Sequence, residues 1–295
     1  MKIQVIKNRF IYIGIALVLI LVGIGCMIYN TAKGNGPFNF DVQFTGGTAV
    51  DVNIGTEFSN DDIAAIITDV TNNKSPQIQK VGADGTQVTI KIKSIDPDTR
   101  TALKEAILEK YPGATDFSVS DVSGTVSKEM QRAAILAIIV ACIAMLIYVT
   151  IRFHDVKTGS SAVMALIHDA LMVICCYAVF RIPLSTTFIA VILTILGYSI
   201  NASIVIFDRV RENRRRIKDD AELIDVSINQ TLTRSLFTSF TTFLTVLSLY
   251  IFGVKDIKDF ALPIMVGVIC GTYSSVLLSG NFWYMLSNAG KKENK

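Results

Sequence analysis

The sequence predicts a polytopic α-helical membrane protein, six transmembrane helices with one ferredoxin-like α+β extracytoplasmic domain inserted between helices 1 and 2. Three observations predict it. Hydrophobic residues make up 51% of the 295 and the mean hydropathy is +0.48, more apolar than soluble domains of this length. The apolar surplus falls into six runs of roughly 20 residues, the length at which a helix rising 1.5 Å per residue crosses about 30 Å of hydrocarbon. Between the first two runs, continuous apolar sequence gives way to short mixed segments long enough to fold by themselves.

The runs lie near Phe10–Tyr29, Ala133–Ile151, Ser161–Phe180, Leu184–Phe207, Leu236–Phe252 and Phe260–Leu286. The first is preceded by basic residues, as a signal peptide is. It exceeds the usual apolar segment of about 7–15 residues and lacks a convincing small-residue cleavage site, so it is expected to stay as a span. An even number of spans puts both termini on one side, and Lys and Arg beside spans are retained in the cytoplasm. Lys2, Lys7 and Arg9 precede span one, Arg152 and Lys157 follow span two, six basic residues from Arg209 to Lys218 follow span four, and Lys291, Lys292 and Lys295 end the chain. The opposite short loops hold only Arg181, Lys255 and Lys258. Both termini are therefore expected in the cytoplasm. The expected division is a cytoplasmic N-terminus with helix 1 (1–32), an extracytoplasmic domain (33–128), helices 2–6 with a basic cytoplasmic loop near 208–230 (129–288), and a basic tail (289–295).

The net charge of +3 calls for no nucleic acid, because topology and anionic headgroups of the lipid bilayer account for the basic cluster. All five cysteines, Cys26, Cys142, Cys175, Cys176 and Cys270, fall inside spans, leaving the inserted domain without a disulfide. The adjacent Cys175 and Cys176 read as small apolar packing residues rather than a redox or metal pair.

Within the inserted domain, Phe40–Phe44 and Thr48–Ile54 alternate as strands around Gly46-Gly47. Ser59-Asn-Asp-Asp62 reads as a cap and acidic first turn for a helix burying Ile63, Ile66, Ile67 and Val70. Strands Gln77–Val81 and Gln87–Lys93 follow, joined by the hairpin signal Ala83-Asp84-Gly85. Asp96-Pro97 opens a second helix with Leu103, Ile107 and Leu108 on one face, closed by Tyr111-Pro112-Gly113. A last strand near Asp116–Val122 completes β-α-β-β-α-β, the ferredoxin-like order. That order names no function.

Function is sought in polar residues at bilayer depth, each of which costs about 2.5–3.5 kcal/mol on insertion scales. His168-Asp169 lies halfway along span three. One reading is a protonatable pair in a relay, since low dielectric disfavours a charged carboxylate and imidazole titrates near neutrality; the other is a buried pair that packs two helices. In span four, Tyr198, Asn201, Ala202 and Val205 share one face, with Asn201 as interhelical glue and Gly197, Ser199 and Ser203 allowing close approach. In span five, Arg234, Thr238, Thr241 and Thr245 form either a hydrated stripe or a snorkelling arginine above threonines bonded to their own backbone. Gly267-Val-Ile-Cys-Gly271 is a small-xxx-small packing motif. The lack of a phosphate loop, a nucleophile with its base or a metal cluster argues against an enzyme.

Phe44-Thr-Gly-Gly-Thr48, Gly197-Tyr-Ser-Ile-Asn201, Phe207-Asp-Arg-Val-Arg-Glu-Asn213 and Thr233-Arg-Ser235, with His168-Asp169 and Gly271-Thr-Tyr-Ser-Ser275, together resemble the SecF family. The resemblance runs nearly end to end, and Gly46, Gly47, Thr48, Gly197, Tyr198, Asp208, Arg209, Arg211, Glu212 and Asn213 carry its motifs. It implies one half of a SecD–SecF pair, similar to resistance-nodulation-division exporters, in a bacterial cytoplasmic membrane. The implied partners are a separate SecD chain, the SecYEG translocon and the unfolded polypeptide in transit. The implied energy source is a proton or sodium gradient, with no cofactor. Two other functions stay open, export of small hydrophobic compounds or lipids and a coupling-deficient assembly scaffold. The single inserted domain speaks against the exporter.

The resemblance also exposes a departure. SecF relatives carry an Asp immediately after Gly-Tyr-Ser-Ile-Asn, paired with the span-five Arg, where this chain has Ala202. Related SecD sequences have theirs one position earlier, at Asn201 here. Arg234, Asp169, His168 and Asn201 are thus the ion-relay candidates, and three accounts follow. The SecD partner's acid carries the ion alone, Asp169 takes over, or this copy serves assembly. The first is the preferred expectation, under which losing Arg234 impairs export while Ala202→Asp is tolerated or stimulatory.

Overall fold

The computed structural model describes residues 3–34, 36–72, 76–81 and 85–292, without the side chains of 255, 256 and 289–292. In chain order the elements are α1 Arg9–Ala32, β1 Asn39–Phe40, α2 Val42–Thr45, β2 Gly47–Asn53, α3 Asn60–Thr71, β3 Gln77–Val81, β4 Gln87–Ile92, α4 Pro97–Lys110, β5 Thr115–Val122, α5 Gly124–Phe153, α6 Val156–Val179, β6 Pro183–Leu184, α7 Thr187–Asn213, α8 Asp220–Phe252, α9 Lys255–Tyr273, a π-helical turn Ser274–Ser279 and α10 Gly280–Lys292. The chain divides into two compact units, residues 40–134 with 184–186, and the remainder.

In the smaller unit the sheet order is β3-β4-β2-β5 with every pairing antiparallel. β2 and β3, joined through α3, run parallel with β4 between them, which is the split β-α-β of a ferredoxin-like sheet. The expected caps form. Ser59 accepts from the Asp61 N–H and Asp96 from the Thr99 N–H, each satisfying a donor that the first helical turn leaves free. Ile63 and Ile67 of α3 and Leu103 and Ile107 of α4 are buried against Val50, Val52, Val88 and Ile90 of the sheet. The expected strand over Phe40–Phe44 is corrected. Asp41 accepts from the Gln43 N–H and starts the short helix α2, so local capping overrides the alternating pattern. Of the hairpin signal, Ala83 and Asp84 lie outside the described residues.

The larger unit contains six helical segments long and apolar enough to cross a membrane. The central ones are α6, α7 and the last segment, of which 61%, 44% and 56% is buried, against 11% for α1 and α5. Several span boundaries move, α5 for instance starting at Gly124 rather than Ala133. Helix α7 starts at Thr187 rather than Leu184, which lies in β6. The basic stretch expected as a loop near 208–230 is largely helical, because α7 runs on to Asn213 and α8 begins at Asp220, where Asp219 caps it by accepting from the Glu222 N–H. The last span is broken by the π-helical turn. The N-terminal segment is clipped to α8. Ile3 exchanges two 2.8 Å hydrogen bonds with the Asn229 side chain, and the Val5 and Ile6 N–H groups donate to Asp225 Oδ1.

Candidate functional site

The interior of the larger unit is built around one carboxylate. Helix α6 leaves Met164, Ile167 and Leu171 exposed and buries most of the rest of its middle turns, including Ala165, His168, Asp169, Met172 and Val173, so its one acid lies on the packed side. Asp169 is 0% exposed. Its Oδ1 lies 3.0 Å from His168 Nδ1. Its Oδ2 accepts from two hydroxyls, Ser199 of α7 and, at 2.7 Å, Ser274 at the start of the π-helical turn. Three helical segments meet at this carboxylate because small residues let them. A Cβ built on Gly271 sits in ordinary contact with Ser199 Cβ at 3.4 Å and with Asp169 Oδ2 at 3.8 Å, and one on Gly267 would press into Ile195. The small-xxx-small motif is thus the α9 face that receives α7.

No Arg or Lys among the described residues forms an ion pair with Asp169. His168 is 7% exposed, its Nε2 has no partner among the described residues, and its ring lies 6.3 Å from that of Tyr273. Leaving a carboxylate and an imidazole nitrogen so enclosed is costly, which marks the pair as a functional candidate.

The other candidates are placed differently. Tyr198 donates to Ser239 Oγ at 2.8 Å, and Thr272 donates to the same oxygen at 2.6 Å, a hydroxyl cluster joining α7, α8 and α9. Asn201 is exposed and makes no hydrogen bond to a neighbouring helix among the described residues, so the expected glue is absent from it. Ala202 is half-buried, and Arg234 is exposed on α8. Thr238, Thr241 and Thr245 all donate to carbonyls of their own helix, as the second reading of that stripe had it. The structure therefore does not bring Arg234, Asn201 and Asp169 into one cluster.

The motif at the end of α7 is a clamp. Asp208 accepts from Arg152 Nη2 at 3.0 and 3.2 Å, Arg209 donates to Gln230 and Glu212, and Asn213 donates to Ser227 and Gln230. Arg211 donates to the Arg152 carbonyl. Nearby, Asp155 caps α6 and accepts from Thr158 and from Trp283 Nε1. Burial alone would raise its carboxyl, but the bonds from Thr158, Trp283 and the Lys157 N–H, with Arg214 close by, hold it below its ordinary range.

Gly46, Gly47 and Thr48 serve the fold of the smaller unit. Gly46, at φ 74°, closes α2 through its N–H to the Val42 carbonyl, and Gly47, at φ 132°, starts β2 where any Cβ would run into the Ile92 carbonyl oxygen. Thr48, 0% exposed, donates to Asp121 Oδ1 at 2.5 Å and accepts from the Ile95 N–H at 3.2 Å.

Sequence reasoning found His168 and Asp169 but assigned no role to Ser274 and treated Ser199 only as small. No group of residues able to hold a metal ion occurs among the described residues.

Six helices long and apolar enough to cross a membrane, a buried acid among them and a ferredoxin-like sheet domain define a multi-pass membrane protein. The comparisons specify it further. Residues 103–289 match the model of the "Protein export membrane protein SecD/SecF, C-terminal" family. The chain is 33% identical over 293 residues to protein translocase subunit SecF of Sebaldella termitidis, covering 97% of this chain and 92% of that one. It is 35% identical over 283 residues to SecF of Borreliella burgdorferi, covering 90% and 91%. The crystal structure of SecDF from Thermus thermophilus, a translocon-associated membrane protein, superposes with a TM-score of 0.86 at 31% identity, covering 98% of this chain and 39% of that longer one. The chain belongs to the SecD/SecF family and is a bacterial protein translocase subunit of the SecF type.

Proposed function

We propose that this chain pairs with a separate SecD chain beside the SecYEG translocon and uses a proton or sodium gradient to promote passage of unfolded polypeptide across the cytoplasmic membrane. Both termini lie in the cytoplasm, and the ferredoxin-like domain lies on the opposite side. The protein acts without enzymatic chemistry or a cofactor. The observation that carries this reading is a carboxylate kept at 0% exposure among membrane-crossing helices, in a chain that matches SecF subunits along almost its whole length. A buried acid that meets no Lys or Arg among the described residues is retained against its insertion cost where its charge is used. Arg234, exposed in this chain, is open to a carboxylate of SecD.

The test is pulse-labelled export of a reporter protein in cells depleted of this chain, with proton and sodium gradients collapsed separately. Export should slow on depletion, and collapse of the coupling ion's gradient should remove the difference between depleted and replete cells. Equal rates with and without the chain at full gradient would contradict the reading. Ala202, at the position where relatives carry an acid, favours a second reading in which the chain only holds SecD in place. In that case SecD levels fall on depletion, while a variant chain that restores SecD restores export whatever its residue 169.

A further inference from the structure

We infer that Asp169 is a proton-binding site belonging to this chain itself, with His168 as its immediate proton partner and Ser274 as the group that passes its charge state to the π-helical turn.

The inference deepens the gradient-driven reading and rests on it only for what the bound proton is used for. The proton count follows from the contacts. With a neutral imidazole whose Nδ1–H donates to Asp169 Oδ1, the pair carries one negative charge. Ser199 and Ser274 offset it by donating to Oδ2, and no cation does so among the described residues. One proton taken up at His168 Nε2, with the Nδ1–H bond broken as its proton forms an O–H bond at Asp169 Oδ1, leaves a neutral imidazole beside a neutral carboxylic acid. The other titratable groups facing the site are Cys270 and Tyr273 of α9. The Tyr273 hydroxyl is committed to the Tyr12 carbonyl of α1, and the Cys270 thiol is buried. His168 Nε2, enclosed and unpartnered, is the remaining open proton position.

Ser274 makes the site a switch. Its single hydroxyl hydrogen has two acceptors within reach, Asp169 Oδ2 at 2.7 Å and the Gly271 carbonyl at 3.2 Å. A charged carboxylate is the stronger acceptor, and a neutral carboxylic acid much less so. Loading the proton therefore moves the balance of the Ser274 hydrogen toward Gly271. Ser274 opens the π-helical turn, a wide turn found mostly at functional sites. Protonation is thus coupled to the segment where α9 becomes α10.

The test uses the full chain reconstituted with its SecD in lipid vesicles. Infrared difference spectra taken across a pH titration read the carbonyl stretch of protonated carboxylic acids. The wild type should show a titrating band that Asp169→Asn abolishes, that Ser274→Ala displaces, and that Ser274→Thr restores. Amide exchange at residues 274–279 should follow the same midpoint. If Asp169→Asn fails to assemble, His168→Gln and Ser274→Ala keep the test, since each should move the midpoint. A spectrum unchanged by all three substitutions overturns the inference. So does a band that sodium chloride removes at constant pH, which would make the site a cation site. The spectrum does not depend on export. A band present in a chain that proves dispensable for export defeats the functional reading alone, and a chain needed for gradient-driven export but lacking the band defeats this inference alone.

Discussion

Thr48 tests whether the Gly-Gly-Thr motif is a lock on the sheet. Replacing it with Val keeps the β-branched shape but removes the 2.5 Å bond to Asp121 and the acceptor 3.2 Å from the Ile95 N–H. A hydrogen bond to a charged group contributes about 1.5–3 kcal/mol and a neutral one about 0.5–1.5 kcal/mol, so the loss should be roughly 2–4 kcal/mol. Arg100 still pairs with Asp121, which places the expected cost toward the lower end. Thr48→Ser retains the hydroxyl and should lose about 1 kcal/mol for one buried methyl. The assay is amide exchange of the reconstituted full chain, read at β2, β4 and β5. The Val variant should open these strands about fivefold or more above the Ser variant, at roughly 1.4 kcal/mol per decade. Equal protection in the two variants would refute the lock.

Four further outcomes are expected. Gly267→Leu, driven into Ile195, should destabilise the bundle by about 1–3 kcal/mol, whereas Gly14→Leu, which meets nothing within 4 Å, should be neutral by thermal unfolding in detergent. Arg152→Ala and Asp208→Ala should each cost roughly 0.5–1 kcal/mol because the pair is partly exposed, with a double-mutant cycle showing the losses are not additive. Asp155, held below the ordinary carboxylate range, adds stability that is fully present above that range and lost as pH falls through the lower native value. Fluorescence of Trp283, the sole tryptophan and a partner of Asp155, should therefore report an acid-induced loss that Asp155→Asn removes. Arg234→Ala should slow reporter export without lowering the amount of chain in the membrane, and Ala202→Asp should not slow it; the reverse pattern in pulse-chase would remove Arg234 from coupling.

The spans and the βαββαβ order could be read from sequence because each rests on a local signal, run length in one case and the caps Ser59 and Asp96 in the other. Phe40–Phe44 misled because two aromatic residues at alternating positions look like a strand, while a single carboxylate at Asp41 decides for a turn of helix. The early start of α8 was hidden because its first turns are amphipathic: Leu223, Ile224 and Ile228 are buried, but Asp220, Glu222, Asp225 and Gln230 lie around them and lower the mean, so a hydropathy window begins too late. Asp169 stood out as an acid at bilayer depth, but its partners lie 30 and 105 residues away. No local pattern marks a serine as a carboxylate's partner across helices. The π-helical turn has no composition signature, since Ser274–Ser279 reads as ordinary helix. Only tertiary packing shows that Arg234 and Asp169 are separate features.

The most direct test of the central claim is the slope of reporter export against an imposed ion gradient, in vesicles carrying the translocon, SecD and either the wild-type chain or Asp169→Asn at matched amounts. The account predicts a rate that rises with the gradient for the wild type and a flat response for the variant, with the zero-gradient rates equal. Equal slopes for the two chains would contradict it.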